Sequence, residues 1–162
     1  MNRLHSVLLQ VFRRLPTGGR RFVVRRLTPS YTVGAICVIE RADGALLLLR
    51  LSYRNEWGFP GGLLRRGEEA ADGARREAME EVGLDIEIVS EPSVVVEVEP
   101  RRVDVVFRCR PAPGADVEAL RPLSPEVVEA QWFPGSALPE LQHEASQALV
   151  ALARKAPLRV RR

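Results

Sequence analysis

Three glutamates in the middle of the chain have the spacing of a metal site. Glu77, Glu80 and Glu81 stand at positions i, i+3 and i+4, so on a helix their side chains project from one face. Like charges at this spacing destabilise a bare helix by roughly 0.2–0.5 kcal/mol per pair. A hard divalent cation removes this repulsion, and Mg²⁺ prefers oxygen ligands that it often shares with the phosphates of a substrate. The spacing therefore predicts a divalent-metal site with phosphate chemistry.

The residues that flank these glutamates favour a metal site over a solvated helix face, which is the commoner setting of an isolated glutamate pair. The sequence FPGG at residues 59–62 precedes the predicted helix, and Gly61 and Gly62 permit a close approach of the backbone. Gly83 suits the position that ends a helix. Glu68 lies before or at the start of the helix, where a negative charge suits the helix dipole. We therefore expect one loop–helix–loop unit.

Residues 62–84 resemble the Nudix box, G-x5-E-x7-R-E-U-x-E-E-x-G-U, in which U is an aliphatic residue. Leu84 fills one aliphatic position, and Ala78 fills the other with a smaller side chain than usual. The seven fixed positions are all filled, by Gly62, Glu68, Arg76, Glu77, Glu80, Glu81 and Gly83. The resemblance implies an α/β fold, the Nudix α/β/α sandwich with a mixed β-sheet. It also implies a hydrolase that uses Mg²⁺ or Mn²⁺ to cleave a diphosphate linkage in a nucleoside diphosphate derivative.

The resemblance also implies roles for the box residues. In this family the metal is bound by the glutamates that match Glu77, Glu80 and Glu81. The glutamate that matches Glu68, and a backbone carbonyl of residues 61–62, often assist. We expect the Arg76 guanidinium to pair with a neighbouring carboxylate and hold its rotamer. The positions expected to be structural are Arg76, Gly61 and Gly83.

The water that attacks phosphorus must lose a proton, and the sequence leaves the acceptor open. Many members of the family use a glutamate outside the box, and the candidates here are Glu126, Glu129, Glu97 and Glu99. Glu126 and Glu129 lie where a loop gives way to a predicted strand, and loop ends often carry function. We expect Glu126 to be the freer carboxylate, and Glu129 to brace Arg76 or another box residue. If none of the four is the base, the box itself supplies it, from Glu77 or Glu80.

The substrate is specified less sharply than the reaction. Arg50, Arg54 and Arg66 lie near the box and are candidates to bind phosphate, although each would serve equally as a solvated surface residue. Tyr53 and Trp132 offer stacking surfaces for a base. We favour a nucleoside triphosphate or a nucleotide sugar as the substrate. The alternatives are an ADP-ribose pyrophosphatase, a processor of 5′-triphosphate RNA, and a non-catalytic nucleotide-binding regulatory module.

Short apolar segments separated by turns predict the elements that position these residues. Residues 31–39 are nearly all apolar and rich in β-formers, which is typical of a strand buried on both faces. Cys37 and Cys109 lie in such segments, and we expect buried, reduced thiols. Strands interspersed with helices fit a mixed sheet between helical layers. The further strands are predicted at 45–49, 85–89, 94–99, 103–109 and 127–133, and a C-terminal helix at 138–155.

The charge is concentrated at the chain ends. The formal net charge is only +3, yet residues 1–26 contain seven arginines and no acidic residue, with helical apolar spacing at residues 4–12. We expect a basic helical segment at 1–28, the Nudix domain at 29–156 and a basic tail at 157–162.

Three interpretations of the basic segment stay open: a helix packed on the domain, weak attachment to an anionic membrane surface, or contact with a polyanion. No apolar run is long enough to span a bilayer. We expect a cytoplasmic protein. The box resemblance implies that its partner is a small-molecule nucleotide. A homodimer is left open, and nucleic acid is not the favoured partner.

Overall fold

The computed structural model describes residue 10 and residues 12–155, so most of the helix predicted at 4–12 lies outside the described residues. The chain divides into two compact units between Tyr31 and Thr32. The first unit contains helix α1 (Thr17–Leu27), which begins directly after Pro16. None of the helices in the described ranges is long and apolar enough to cross a membrane.

The second unit alternates short strands with two helices. The elements, in chain order, are β1 (Thr32–Ile39), β2 (Ala45–Leu51), β3 (Trp57–Gly58), β4 (Gly61–Leu63), α2 (Ala70–Val82), β5 (Ile86–Ile88), β6 (Ser93–Glu97), β7 (Arg102–Pro111), β8 (Val127–Pro134) and α3 (His143–Lys155). Five of these strands form a mixed sheet in the order β4-β1-β7-β5, with β6 also paired to β7. The other three form an antiparallel sheet in the order β3-β2-β8.

The mixed character of the larger sheet comes from one parallel pair. Strands β1 and β7 run parallel, and every other pairing in this sheet is antiparallel. Parallel neighbours need a long crossover connection, and the intervening chain here includes α2. This connection brings β4, the turn after it and α2 to one end of β1. The sheet therefore places the whole box beside its central strand.

Alternate residues of β1 face two different helical layers. Cys37 belongs to a core that α2 covers, with Ala74 and Ala78 fully buried in it. Ile36 faces the opposite side, where Ala148 of α3 is buried. Because successive side chains of a strand point to opposite faces, a strand buried on both sides reads as a continuous apolar run. The predicted α/β/α sandwich with a mixed sheet is confirmed.

Several predicted boundaries differ from the structure. The C-terminal helix was expected from residue 138 but begins at His143. The preceding backbone pairs instead with β3, because Trp57 N–H donates to Glu140 O at 2.9 Å and Gln142 N–H donates to Trp57 O at 2.8 Å. Strand β2 continues to Leu51, and β6 ends at Glu97 rather than at residue 99. Strands β3 and β4 are too short to leave an alternating pattern, and they were not predicted.

The predicted thiol state of the two cysteines agrees with the structure. Cys37 and Cys109 are both buried and free. Cys37 Sγ donates to Ala74 O at 3.1 Å, so the thiol also links β1 to the box helix. Its burial beneath α2 explains why a small polar side chain is tolerated here without a disulfide partner.

Candidate active site

The glycines of β4 bring the backbone of the box loop against the central strand. Gly61 and Gly62 pair with Ile36 and Ala35 of β1. A Cβ atom on Gly61 would collide with the Ala35 carbonyl oxygen. A Cβ on Gly62 would lie 2.5 Å from Glu77 Oε1, so the Glu77 carboxylate rests directly on this backbone. Both positions therefore require glycine, because the strand and the Glu77 carboxylate leave no space for a Cβ atom.

Helix α2 presents small residues to the sheet and its carboxylates to the other side. Gly73, Ala74 and Ala78 are buried, and a Cβ on Gly73 would collide with the Leu64 side chain. The close packing explains why the box accepts alanine at position 78 in place of a larger aliphatic residue. The helix ends at Gly83, whose φ of 70° is the left-handed conformation that glycine adopts readily. The predicted helix stop is thus observed.

Arg76 joins the carboxylates of the box into one network. Its side chain is 15% exposed, and Nε and Nη2 donate to the two oxygens of Glu68 at 2.7 and 2.9 Å. Its Nη1 donates to Glu77 Oε1 at 2.6 Å and to Glu80 Oε2 at 3.0 Å. The Arg76 guanidinium, together with the Arg65 backbone N–H, lowers the pKa of Glu68 to about 2. Glu68 is thereby ionised and fixed, as is expected of a residue that shapes the loop.

Glu81 is the most desolvated carboxylate of the three on the helix face. Its Oε2 accepts a hydrogen bond from Gly61 N–H at 3.0 Å. Burial raises the pKa of Glu81 to about 8, and the charges of Glu77, Glu126 and Glu80 act in the same direction. A cation bound at the inner end of this face would oppose these effects and favour the ionised form of Glu81.

These carboxylates open onto one cavity of about 620 Å³. Glu77, Glu80 and Glu81 lie on its wall beside Gly61 and Gly62, as their spacing predicted. Leu49, Leu51 and Phe59 give it an apolar side. A cavity of this volume is in the usual range for small-molecule sites. The arrangement unites charged groups for a phosphate chain with an apolar surface for a base or sugar.

Glu126 joins the box glutamates on the wall of the cavity. It immediately precedes β8, and its backbone O accepts from Ser52 N–H at 2.8 Å. Tyr53 Oη donates to Glu126 Oε2 at 3.3 Å, so the tyrosine orients this carboxylate. The structure therefore brings Glu126 to the box from a part of the chain far away in sequence, beside Tyr53 from the segment that precedes the box.

Glu129, in contrast, points elsewhere. It stands opposite Arg50 in the β2–β8 pair, and the Arg50 guanidinium donates to its two oxygens at 2.7 and 3.1 Å. Neither residue is among those that line the cavity. The expected brace between Glu129 and Arg76 is wrong, because cross-strand register gives Glu129 a nearer cation. The four carboxylates weighed as bases are thus not equivalent.

Of the other candidate residues from the sequence, one lines the cavity and the rest do not. Arg54 lines the cavity and donates to Glu144 with both terminal amino groups, at 3.3 Å each. Arg66 is exposed and does not line it. Trp132 Nε1 donates to Val117 O at 3.0 Å, away from the cavity wall. Glu97 lies 3.3 Å from His143 and is likewise not on the wall. Like Glu97, the exposed Glu99 lies outside the lining.

Sequence reasoning missed five polar residues of the wall, which are Arg65, Arg102, Ser124, Gln142 and Glu144. Arg65 had a local signal, since it neighbours Arg66 in the loop that leads to Glu68. The other four come from β7, from the loop before β8, and from the residue before α3 and its first turn, which only the tertiary fold brings to the box.

The donor set of this cavity fits a hard divalent cation. Glu77, Glu80 and Glu81 offer carboxylate oxygens, which are the ligands that Mg²⁺ prefers. Within the described ranges, no group of three or more His, Cys, Asp or Glu side chains stands ready to hold an ion. Arg76 holds one oxygen each of Glu77 and Glu80, and Arg65 Nη2 donates to Glu80 Oε1 at 2.8 Å. The two arginines therefore already fix the orientation of the Glu77 and Glu80 carboxylates.

A family model described as the NUDIX domain matches residues 30–153. The chain belongs to the Nudix family. The family predicted from the box is thus confirmed, and the match extends well beyond the box itself.

Two curated relatives of the Nudix domain are informative. A MutT-like protein of Streptomyces ambofaciens is 34% identical over 88 residues, which cover 54% of this chain and 57% of that protein. The human 8-oxo-dGDP phosphatase NUDT18 is 32% identical over 114 residues, covering 67% of this chain and 33% of that protein. The match thus spans between one third and three fifths of the length of these relatives.

The fold has close structural counterparts. A NUDIX hydrolase from Nitrosomonas europaea superposes with a TM-score of 0.66 at 24% identity, covering 75% of this chain and 69% of that one. At this identity the likeness concerns the fold.

Proposed function

We propose that this Nudix domain is a divalent-metal-dependent hydrolase that cleaves a diphosphate linkage in a nucleoside diphosphate derivative. The observation that carries the proposal is the convergence of Glu77, Glu80, Glu81 and Glu126 on one cavity. An intact set of box glutamates favours a catalyst over a non-catalytic nucleotide-binding module. The apolar side of the same cavity suits the organic part of a nucleotide.

The residues that would hold Mg²⁺ or Mn²⁺ are Glu77, Glu80 and Glu81, assisted by Glu68 and the Gly62 carbonyl. When bound, such an ion neutralises diphosphate charge and lowers the pKa of an attacking water. Arg76 and Arg65 then serve to keep the carboxylates ordered, since they already hold Glu77 and Glu80.

Glu126 is the proposed proton acceptor for the attacking water. It lies on the cavity wall outside the Arg76 network, and Tyr53 fixes the position of one of its oxygens. Its other oxygen is left to accept a proton, because the described residues provide no hydrogen-bond donor to it. A base needs this combination of reach and a free oxygen.

The substrate that we favour is a nucleoside triphosphate or a nucleotide sugar. A second candidate is an oxidised purine nucleoside diphosphate, which the name of the human relative supports. Both contain a diphosphate that a cation on the carboxylate face would bind in the same way, so they differ only in the group that meets the apolar wall.

A phosphate-release panel with Mg²⁺ tests the proposal. The panel contains nucleoside triphosphates, 8-oxo-dGDP, ADP-ribose, nucleotide sugars, dinucleoside polyphosphates and 5′-triphosphate RNA. We expect turnover of at least one small nucleotide, and its loss in excess chelator with recovery when Mg²⁺ is restored. Undiminished turnover in chelator would contradict the metal requirement. An absence of turnover on the whole panel would favour the binding module.

A further inference from the structure

Asp104 is a buried carboxylate at the centre of the mixed sheet. It is 2% exposed and lies opposite Gly34 in the pairing of β7 with β1. A Cβ on Gly34 would collide with its Oδ1 atom. Buried charges are tolerated when they are paired, and the partner here is Arg102, whose Nε lies 2.9 and 2.8 Å from the two Asp104 oxygens. This contact fixes the direction of the guanidinium.

Arg102 turns the rest of its guanidinium towards the cavity that it lines. Within the described part of the chain, neither of its terminal amino groups has a hydrogen-bond acceptor. The other arginines of the wall differ. Arg54 donates both terminal groups to Glu144, Arg65 donates to Glu80, and Arg76 binds three carboxylates. Arg102 is the one described arginine of this wall whose two terminal groups are both open.

The open guanidinium lies beside the box loop. The position that a Cβ on Gly34 would occupy is 3.3 Å from Arg102 Nη2 and 3.2 Å from the Gly62 carbonyl oxygen. The Glu77 carboxylate in turn lies directly against Gly62. A phosphate chain bound at the box glutamates would therefore have the two open terminal amino groups of Arg102 next to it.

We propose that Arg102 binds a phosphate of the substrate and that Asp104 is its positioning residue. The proposal rests on the function proposed above and extends it to residues outside the box. A guanidinium held at Nε keeps two parallel N–H groups for two oxygens of one phosphate, which is its preferred mode of binding. The buried Asp104 carboxylate holds the Arg102 guanidinium in this orientation before the ligand binds.

Binding of methylenediphosphonate, a diphosphate analogue whose P–C–P bridge cannot be hydrolysed, tests the proposal without a nucleoside base in the ligand. Calorimetry in Mg²⁺ compares the full chain with Arg102→Gln. Loss of a charged bidentate contact should weaken binding by roughly ten- to a hundredfold. The matched control is Arg110→Gln, on the same strand, where the arginine pairs with Glu87 away from the cavity and is 63% exposed. This control should bind as tightly as the wild type.

Asp104→Asn separates positioning from a purely structural role. Positioning predicts weaker binding for Asp104→Asn, and no further loss when it is combined with Arg102→Gln, because the residue acts through the arginine. A structural role would lower the unfolding temperature and leave the affinity unchanged. If Arg102→Gln does not fold, Arg102→Lys serves, since it keeps the charge but loses the fork and should still bind more weakly.

The outcomes distinguish this proposal from the one it rests on. A wild type that neither binds methylenediphosphonate nor hydrolyses the panel would end the proposed function. A wild type that hydrolyses a panel substrate, while Arg102→Gln keeps wild-type affinity and KM, would overturn only the role of Arg102. Hydrolysis by a wild type that does not bind methylenediphosphonate would also overturn it.

Discussion

Three glutamates at the cavity and its margin, Glu68, Glu81 and Glu126, have different partners, and the partner decides what each carboxylate can do. Glu68 is ionised and locked by Arg76. Glu81 is desolvated and meets a backbone N–H. The Glu126 carboxylate accepts a hydrogen bond from the Tyr53 hydroxyl and from no other described residue. These three glutamates therefore have separable roles.

Glu126→Gln should lower kcat by roughly 10²–10³-fold, because a general base is lost while one hydrogen bond from Tyr53 can remain. The pH–rate profile should lose its acidic limb, since no carboxylate at this place is left to protonate. Steady-state kinetics across pH on the best panel substrate measures both effects.

Glu97→Gln and Glu99→Gln serve as controls for Glu126, because neither residue lines the cavity. Glu129→Gln should change the stability little, since the ion pair of Glu129 with Arg50 is largely solvated. Its kcat should stay near that of the wild type. If Glu126→Gln keeps the wild-type kcat and the same pH–rate profile, the general base is Glu77 or Glu80 instead.

Helix α2 has small residues on its buried side and carboxylates on the side that faces the cavity. Its buried alanines let it approach the sheet closely, and the glycines of β4 let the loop backbone approach the helix. Close packing of this kind transmits small displacements, because protein interiors have little free volume. The element therefore positions its carboxylates through both of its surfaces.

Glu80→Gln should lower kcat by roughly 10²-fold or more while the fold stays intact. The change removes a negative charge that would stabilise the transition state through a cation, whereas glutamine is as good a helix former as glutamate. Kinetics and circular dichroism report the two effects separately. Glu69→Gln is the matched control, because Glu69 stands at the start of the same helix without lining the cavity. Near-normal turnover, or loss of structure, would each count against the prediction.

Gly62→Ala should impair turnover more than it impairs folding. The added methyl group would meet the Glu77 carboxylate at 2.5 Å, and relief of such overpacking costs about 1–3 kcal/mol. The carboxylate is the softer neighbour, so it should move. Gly135→Ala is the control, since its Cβ would meet nothing closer than 3.4 Å. Equal kcat values for these two variants and the wild type would show that Glu77 does not need its present position.

At the scale of the whole molecule, every described residue that lines the cavity belongs to the second compact unit. The wall combines residues from both sheets, the box helix and the start of α3. The basic segment before the unit is rich in arginine, and none of its described residues is among those that line the cavity. We therefore expect its role to be separable from chemistry on a small substrate.

A truncated protein that begins at Pro29 should keep most of its turnover on a small nucleotide. The reason is that the box, Glu126 and Arg102 all lie in the second unit. Turnover per folded molecule, with folding checked by circular dichroism, is the measurement. A large loss in a correctly folded truncated protein would show that the removed segment completes the site or an assembly of subunits.

Local sequence was sufficient wherever a single element carries the information. The spacing of Glu77, Glu80 and Glu81, the stop at Gly83 and the apolar run of β1 depend only on helical and strand periodicity, and the structure has all three. The box fixed the family because its residues are close together in the chain. The small size of Ala78 agrees with its complete burial against the sheet.

Tertiary structure decided which distant residues join the box. Glu126 reaches the cavity while Glu129, three residues later, meets Arg50, because the β2–β8 register sets which way each side chain points. The sequence did not indicate a role for Arg102, because the proposed role depends on its hydrogen bonds to Asp104 and on its position near Gly62. Periodicity describes one element at a time, whereas a cavity is made where several elements meet, and long-range pairing alone determines that meeting.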